Sequence, residues 1–499
     1  MNPLSSYLQQ LHLKNSQKGY SSSILISPPF SLLVSFTMDS PKISFLSAFS
    51  LILLVFLPVV AQGEGGVFRV KKKYTGGGRP HINVLKKHDE HRHSRMLAGK
   101  PIDVYMGGNL TVMLWYTDVM IGTPPQNLTV HIDTGSHILW VNCEGCQGCS
   151  MRMDSLGIKL SSYNPKVSTS AKIVAREESI CEKVSPIFGK NISEGFCNLT
   201  LGYVDGSGTY GYFVTDLLNF NHVSNNQENQ PARENITFGC ATKVIGNSEE
   251  LTDHFVKLGV QGLIGFGQGE GSLISQLASS GKVRKQFAHC LDNKDGGIFA
   301  IGRVVRPKVK LAPLYQGQEH FSMLYTILLE STEVDGQSLK EEEPRLTVID
   351  SGATTVRFPR RINDFVEKQI FSKHPKLSKH RDRKNSTCFS YSFESLDKDF
   401  PTITLRFSNS LTLKAYPHDY VFPEDEENKK DSWCLAWIIS KRRVAIGDLF
   451  LRDKLVVYDA ENKLVGWKEY NCSSSIKVED DTTGGVCNIN AHNYTAPLS

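Results

Sequence analysis

The 499-residue chain carries little excess charge of either sign. Lys and Arg number 56 against 51 Asp and Glu, a formal net charge of +5. A balance that close gives no basis for binding nucleic acid, which demands a basic face. Long apolar runs are equally scarce. Only Phe45 to Ala61 raises the question of a membrane span. It is short, contains Pro58 and runs into Gln62-Gly63-Glu64-Gly65, which is the pattern of a secretory signal peptide. The polar C-terminus has no lipid-anchor signal. Helical periodicity is confined to two patches, Ser272 to Ser280 and Arg360 to Phe371. Gly-Phe-Gly-Gln-Gly-Glu-Gly at 265–271 lacks the Lys-Ser/Thr ending of a phosphate loop, which excludes that reading. No serine or cysteine constellation for nucleophilic catalysis is found.

What is present starts with a secretory layout. Residues 1–37 are polar and serine-rich, and read as an upstream extension of the gene prediction with Met38 as the true start. Residues 38–63 read as the signal peptide. Residues 64–109 are basic and poor in large apolar side chains, and read as a prosegment whose charge suits an acidic cleft. Eleven cysteines follow, at 143, 146, 149, 181, 197, 240, 290, 388, 434, 472 and 487. Behind a signal peptide they read as disulfides, with at least one thiol left over. Cys143, Cys146 and Cys149 also have the spacing of a metal site, but an oxidising compartment favours disulfides, and no metal or other cofactor is expected. Asn-x-Ser/Thr sequons at Asn109, Asn127, Asn191, Asn198, Asn235, Asn385, Asn471 and Asn493 fit a secreted, extracellular or other secretory-pathway destination.

From Leu110 the texture is short β runs joined by turn signals. Strand, tight turn and strand cover 111–121, 122–126 and 128–132. Asp-Gly turns mark hairpins at 293–302 and 333–339. One long repeat stands out. Val-His-Ile-Asp-Thr-Gly-Ser (130–136) and Thr-Val-Ile-Asp-Ser-Gly-Ala (347–353) each run an apolar strand into Asp-Thr/Ser-Gly. Each is followed about a hundred residues on by an apolar-Gly signal, at 263–267 and 444–448. A lobe duplicated in tandem explains this: an N-terminal lobe over 110–310, a C-terminal lobe over 311–472, and a polar tail over 473–499. The fold class is all-β.

One Asp-Thr-Gly is a turn as often as a site. Two copies at matching places in a duplicated lobe point to chemistry. A strand ending in a tight Gly turn holds a short carboxylate rigidly, and two such carboxylates across a crevice share a proton because like charges in a shielded site do not both ionise readily. Asp133 and Asp350 are the candidate catalytic pair.

These segments, with Ile-Gly-Thr-Pro-Pro-Gln (121–126), Asp133 to Cys143, Gln286 to Asp292, Asp350 to Thr355 and Ile446 to Asp459, resemble the pepsin-like aspartic proteases, in particular their secreted plant branch. The resemblance runs from about residue 67 to the C-terminus. It implies two β lobes with a cleft between them, an endopeptidase acting on polypeptides and made as a zymogen, its own prosegment as a first partner, and a monomer bearing N-glycans. It implies that Thr134 and Ser351 tie the two active-site loops together across the lobes, with Gly135, Ser136, Gly352, Ala353 and Thr354 completing those loops. Ser136 is expected to donate to the first carboxylate. Tyr203, with Asp205 and Gly206 at the turn, matches the hairpin flap over the cleft, and Trp140 matches its support. The Cys143–Cys149 cluster is expected to pair with Cys181, Cys197 or partners further on, and Cys388 with Cys434.

Three departures stand out. Val204 follows the flap tyrosine where a glycine is usual. No cysteine stands near Ala175. Ala353 puts a methyl where the family commonly has a hydroxyl, and loss of that donor implies work at less acidic pH. The alternative function is a catalytically silent pepsin-like binding or inhibitor protein. Retention of both Asp residues, both Gly residues and Tyr203 favours the enzyme.

Overall fold

The computed structural model describes residues 66–72, 107–109 and 112–491, apart from short stretches at 150–151, 154–157, 186–194, 203–207, 224–228, 246–260, 282, 293–295, 318–322, 383–384, 393–394, 425–430, 442 and 481–484. The stretch read as a signal peptide, most of the stretch read as a prosegment and the expected flap residues Tyr203, Asp205 and Gly206 therefore lie outside the described residues.

The described chain is predominantly strand, in the two-lobed all-β architecture expected. The duplication is visible in strand order. In the N-terminal lobe, Gln126–Asp133 runs parallel to Gly262–Gly265, which pairs Ile132 with Ile264 and Asp133 with Gly265. Gly262–Gly265 is antiparallel to Trp140–Gln147, and that strand is parallel to Asn229–Ile245. The C-terminal lobe repeats the pattern. Gln337–Ile349 runs parallel to Val444–Ile446, Val444–Ile446 is antiparallel to Val356–Pro359, and Val356–Pro359 is parallel to Trp437–Ser440. Val130, Ile132, Val348 and Ile349 are buried, as β-branched residues on a pleated core face should be.

Beneath the lobes lies a platform sheet. Gln286–Leu291 pairs with Gly297–Ile301 on one edge and Lys454–Asp459 on the other, and Leu464–Glu469 and Lys310–Pro313 extend it. The strand Gly66–Lys72 is part of this sheet. It pairs with Gly297–Ile301 on one side and with Tyr116 and Trp115 on the other. A piece of the stretch expected as prosegment is thus an interior strand. The junction is filled by stacked and edge-on rings of Phe266, Phe287, Phe299, Tyr325 and Tyr458.

Local expectations hold where turn and cap chemistry is strong. Asp335 (φ 51°) and Gly336 (φ 74°) close the hairpin of Thr326–Val334 and Gln337–Ile349 with the two positive-φ residues a tight two-residue turn requires. Leu273–Ser279 is helical behind Ser272, whose hydroxyl accepts the Ser275 N–H. Arg360–Ser372 is the longest helix described and buries Ile362, Val366, Ile370 and Phe371.

Two expectations need correction. Cys181 and Cys197 pair with each other rather than with the cysteine cluster. Cys146 pairs with Cys149 inside the cluster, while Cys143 reaches a partner further on, Cys240, as one of the expected alternatives had it. The reason is register: Trp140–Gln147 lies parallel beside Asn229–Ile245, which brings Cys143 and Cys240 to a Cα separation of 5.4 Å. Cys388–Cys434 forms as expected, Cys290 pairs with Cys472, and Cys487 is the free, buried thiol. The second correction concerns residues 473–499. Ser475–Asp480 and Gly485–Asn490 form a hairpin that pairs with Val304–Arg306. Ile476, Val478, Cys487 and Ile489 alternate inward and are buried, which a polar average conceals.

Candidate active site

Asp133 and Asp350 each emerge from the end of a buried strand, 3% and 2% exposed, and both are held by their own loop. The Gly135 N–H donates to Asp133 Oδ1 at 2.6 Å. The Gly352 and Ala353 N–H groups donate to Asp350 Oδ1 at 3.2 and 3.1 Å. The two loops meet face to face. A Cβ placed on Gly135 would lie 2.5 Å from the Asp350 carboxyl carbon, so glycine is required for the second carboxylate to approach the first loop.

The loops are locked across the lobes. Thr134 Oγ1 accepts the Ser351 N–H at 2.8 Å and donates to the Ile349 carbonyl at 3.1 Å, while the Thr134 N–H donates to Ser351 Oγ at 3.2 Å. All of these atoms belong to buried residues, so each bond is shielded from competing water. Behind each loop stands its apolar-Gly segment. The Phe266 and Gly267 N–H groups donate to the carbonyls of Asp133 and Ser136, and the Asp448 and Leu449 N–H groups donate to those of Ala353 and Thr354. Gly265 and Gly447 permit this contact, since a Cβ on either would press into backbone at 2.6 and 2.4 Å.

The structure brings together Asp133, Thr134, Gly135, Asp350, Ser351, Gly352 and Ala353 as predicted. The Ser136 hydroxyl, expected to donate to Asp133, is buried without a hydrogen-bond partner among the described residues. The backbone supplies the donor instead. Trp140 is buried in a cluster with Cys181, Cys197, Leu199 and Phe213, at the base of the paired strands Asn198–Gly202 and Gly208–Val223.

Two buried contacts near the loops carry no signature in the sequence. Trp115 Nε1 donates to Asp448 Oδ2 at 2.9 Å and joins the N-terminal lobe to the segment behind the second loop. Tyr458 lies under the locked loops, fully buried. Burial raises its phenol above the ordinary range, and the nearby Asp350 charge adds to that shift. The Tyr458 hydroxyl also lies 2.9 Å from His289 Nε2. Tyr458 and His289 fall within segments that the family resemblance quotes, but as aromatic strand residues they look like ordinary core. Away from the cleft, His380 and Glu424 meet beside Cys388. The Cys388 sulfur is engaged with Cys434 and is not a thiolate ligand.

Comparison with known proteins agrees with this geometry. Residues 115–303 match the family model described as "Xylanase inhibitor N-terminal", and residues 324–469 match "Xylanase inhibitor C-terminal". The chain is 37% identical to "Aspartic proteinase 36" of Arabidopsis thaliana, over 93% of this chain and 95% of the relative. It is 35% identical to "Aspartic proteinase 39" of the same plant, over 89% and 93%. It is 25% identical to "Aspartic proteinase nepenthesin-1" of Nepenthes gracilis, over 76% and 82%. Two lobes of one duplicated design, a pair of facing carboxylates on glycine turns and matched relatives across nearly the whole chain lead to one conclusion: this chain belongs to the pepsin-like aspartic protease family, in its plant branch.

Proposed function

We propose that the chain is an aspartic endopeptidase with Asp133 and Asp350 as its catalytic residues. The observation that carries the reading is the close approach of the Asp350 carboxyl to Gly135, which leaves the two carboxylates facing each other in a buried site. One carboxylate takes a proton from water as that water attacks the scissile carbonyl carbon. The neutral partner gives its proton to the carbonyl oxygen. Collapse of the resulting diol breaks the C–N bond, and the amine leaves protonated. The titration belongs to the pair. Thr134 and Ser351 fix the spacing, so little reorganisation is needed during reaction.

The reading includes secretion as a zymogen, with the prosegment as first occupant of the cleft, a monomeric body and N-glycans. Exposure of Asn127, Asn235, Asn385 and Asn471 supports the last point. Among the described residues no helix is long and apolar enough to cross a membrane. One observation favours a second reading, a silent binding protein: both matched family models bear the xylanase-inhibitor description.

Peptide cleavage by the secreted protein over about pH 3 to 7 tests the proposal. It is run with a statine-type transition-state analogue and beside Asp133→Asn. Cleavage is expected, abolished by the analogue and lowered roughly 10²–10⁴-fold by the substitution. Absence of cleavage after confirmed prosegment removal would overturn the enzyme reading in favour of the binding protein.

A further inference from the structure

On the C-terminal lobe, a pocket of about 460 Å³ opens between the helical turn Pro417–Tyr420 and the platform strands Lys454–Asp459 and Leu464–Glu469. No residue of the catalytic loops lines it. Its inner wall is charged and buried, with Asp419, Arg452 and Lys454 at 3%, 7% and 3% exposure. Tyr416 and Tyr470 stand half-buried beside that wall. Asn471 completes the lining, and it opens the sequon Asn471-Cys472-Ser473.

The hydrogen bonds around the pocket leave a donor over. The Asp419 carboxylate accepts the Tyr416 N–H at 2.9 Å and lies 3.7 Å from the Arg452 guanidinium. Glu469 accepts the Tyr416 hydroxyl at 2.7 Å. Lys454 Nζ finds one acceptor, the Arg452 carbonyl at 3.2 Å. Burial lowers the Lys454 pKa, against the opposing charges of Asp419, Glu469 and Asp453. As an ammonium the group has three donors and as an amine two, so at least one lacks an acceptor among the described residues. A fitting occupant brings acceptor oxygens. It is also uncharged, because Arg452 and Lys454 face Asp419, Asp453 and Glu469 and leave no surplus of positive charge for a carboxylate or phosphate. A sugar meets both conditions, and the apolar face of its ring suits the ring of Tyr470.

The attachment point for such a sugar is part of the pocket. The Ser473 N–H donates to Asn471 Oδ1 at 3.1 Å. That leaves Asn471 Nδ2, the atom that carries an N-linked sugar, without a partner among the described residues. The rest of the sequon is held firmly: Cys472 is joined to Cys290, and the Ser473 hydroxyl donates to the buried Asp292. A sugar on Asn471 therefore starts from a fixed point at the lip. Tethering presents it to the pocket at an effective concentration on the order of millimolar, so weak contacts suffice. We propose that this pocket is the docking site of the N-linked glycan on Asn471, with the first N-acetylglucosamine units lying against Tyr470 and accepting a hydrogen bond from Lys454. This assignment rests on the N-glycosylation in the proposed function and does not depend on the catalytic pair.

The test uses the full-length protein secreted by plant cells held to oligomannose glycans. Glycopeptide mass spectrometry reads the occupancy of each sequon. The native protein is then treated with an endoglycosidase that cuts between the first two N-acetylglucosamines. Cleavage at Asn471 is expected to be at least about tenfold slower than at the exposed Asn127, Asn235 and Asn385, the protection given by a docked-to-open ratio of about ten. Lys454→Met removes the donor and should bring Asn471 to the rate of the exposed sites. Tyr470→Leu, at the half-buried rim, should do so in part, and it decides the matter if Lys454→Met does not fold. Equal cleavage at all sites would overturn the proposal in favour of a pocket that holds only water. Slow cleavage at Asn471 that neither variant changes would overturn it too. Glycans at the other sequons with Asn471 bare would overturn it while N-glycosylation stands, and bare sequons throughout would overturn both.

Discussion

The two active-site loops begin from nearly the same tripeptide and hold their carboxylates differently. The first gives Asp133 a short bond from the Gly135 N–H. The second gives Asp350 two longer bonds from Gly352 and Ala353. Thr134 engages two groups at its hydroxyl, while Ser351 accepts from the Thr134 N–H. At the fourth position, Ser136 buries a hydroxyl without a hydrogen-bond partner among the described residues and Ala353 buries a methyl. The comparison teaches that backbone N–H groups, fixed by the strand-and-glycine geometry, do the holding expected of side-chain hydroxyls. The fourth position is therefore free to differ between the lobes.

The strongest way to break the comparison is at Gly135. Gly135→Ala would drive a methyl into the Asp350 carboxyl and displace it. We expect a loss of roughly 10²-fold in kcat, the size associated with misplacing a catalytic group by about an ångström, with a smaller proportional loss of stability. Near-normal kcat would mean that the carboxylates do not depend on this approach.

The next test sets Thr134→Val against Ser351→Ala. Removal of the Thr134 hydroxyl leaves the buried Ser351 N–H without its acceptor, at a cost of about 1–3 kcal/mol in unfolding free energy. Ser351→Ala should cost less, about 1 kcal/mol. Equal costs in denaturant unfolding would show that the clamp is symmetric after all. The smallest effects are expected at the fourth position. Ser136→Ala should be neutral or stabilising by up to about 1 kcal/mol, since its hydroxyl is desolvated without return. Ala353→Ser adds a donor beside the second carboxylate. A donor to the ionised form favours that form, so the acid limb of the cleavage profile should move to lower pH, by about half a unit. An unmoved limb would mean that the backbone already saturates Asp350.

The meeting of Asp133 and Asp350 was legible because its signal is local and occurs twice. Asp-Thr-Gly-Ser and Asp-Ser-Gly-Ala follow apolar strands at matching points of a duplicated lobe, and the turns at Asp335-Gly336 and the cap at Ser272 are equally local. What escaped depends on register and on distant neighbours. Cys143 finds Cys240 through parallel pairing that no spacing in the sequence announces. Gly66–Lys72 looks solvated because Arg69, Lys71 and Lys72 dominate its composition, yet its backbone is paired on both edges. Tyr458 and His289 come together because platform strands pair beneath the loops, and an aromatic residue on a buried strand is ordinarily core.

The platform also sets a time in the life of the chain. Its strands come from the beginning of the described chain, at Gly66–Lys72, and from near its end, at Lys454–Asp459 and Leu464–Glu469. Trp115 and Asp448 meet across 333 positions, and Thr134 and Ser351 across 217. Contacts of such long sequence separation close late in folding, after local hairpins have formed. A nascent chain that has emerged through Pro359 already contains both aspartates, but lacks Val444–Ile446 to flank the second strand and Tyr458 to sit below the clamp. The pair comes into being only when synthesis is nearly complete. Until then the strand that carries Asp350 lacks the Val444–Ile446 strand that pairs with it in the folded chain.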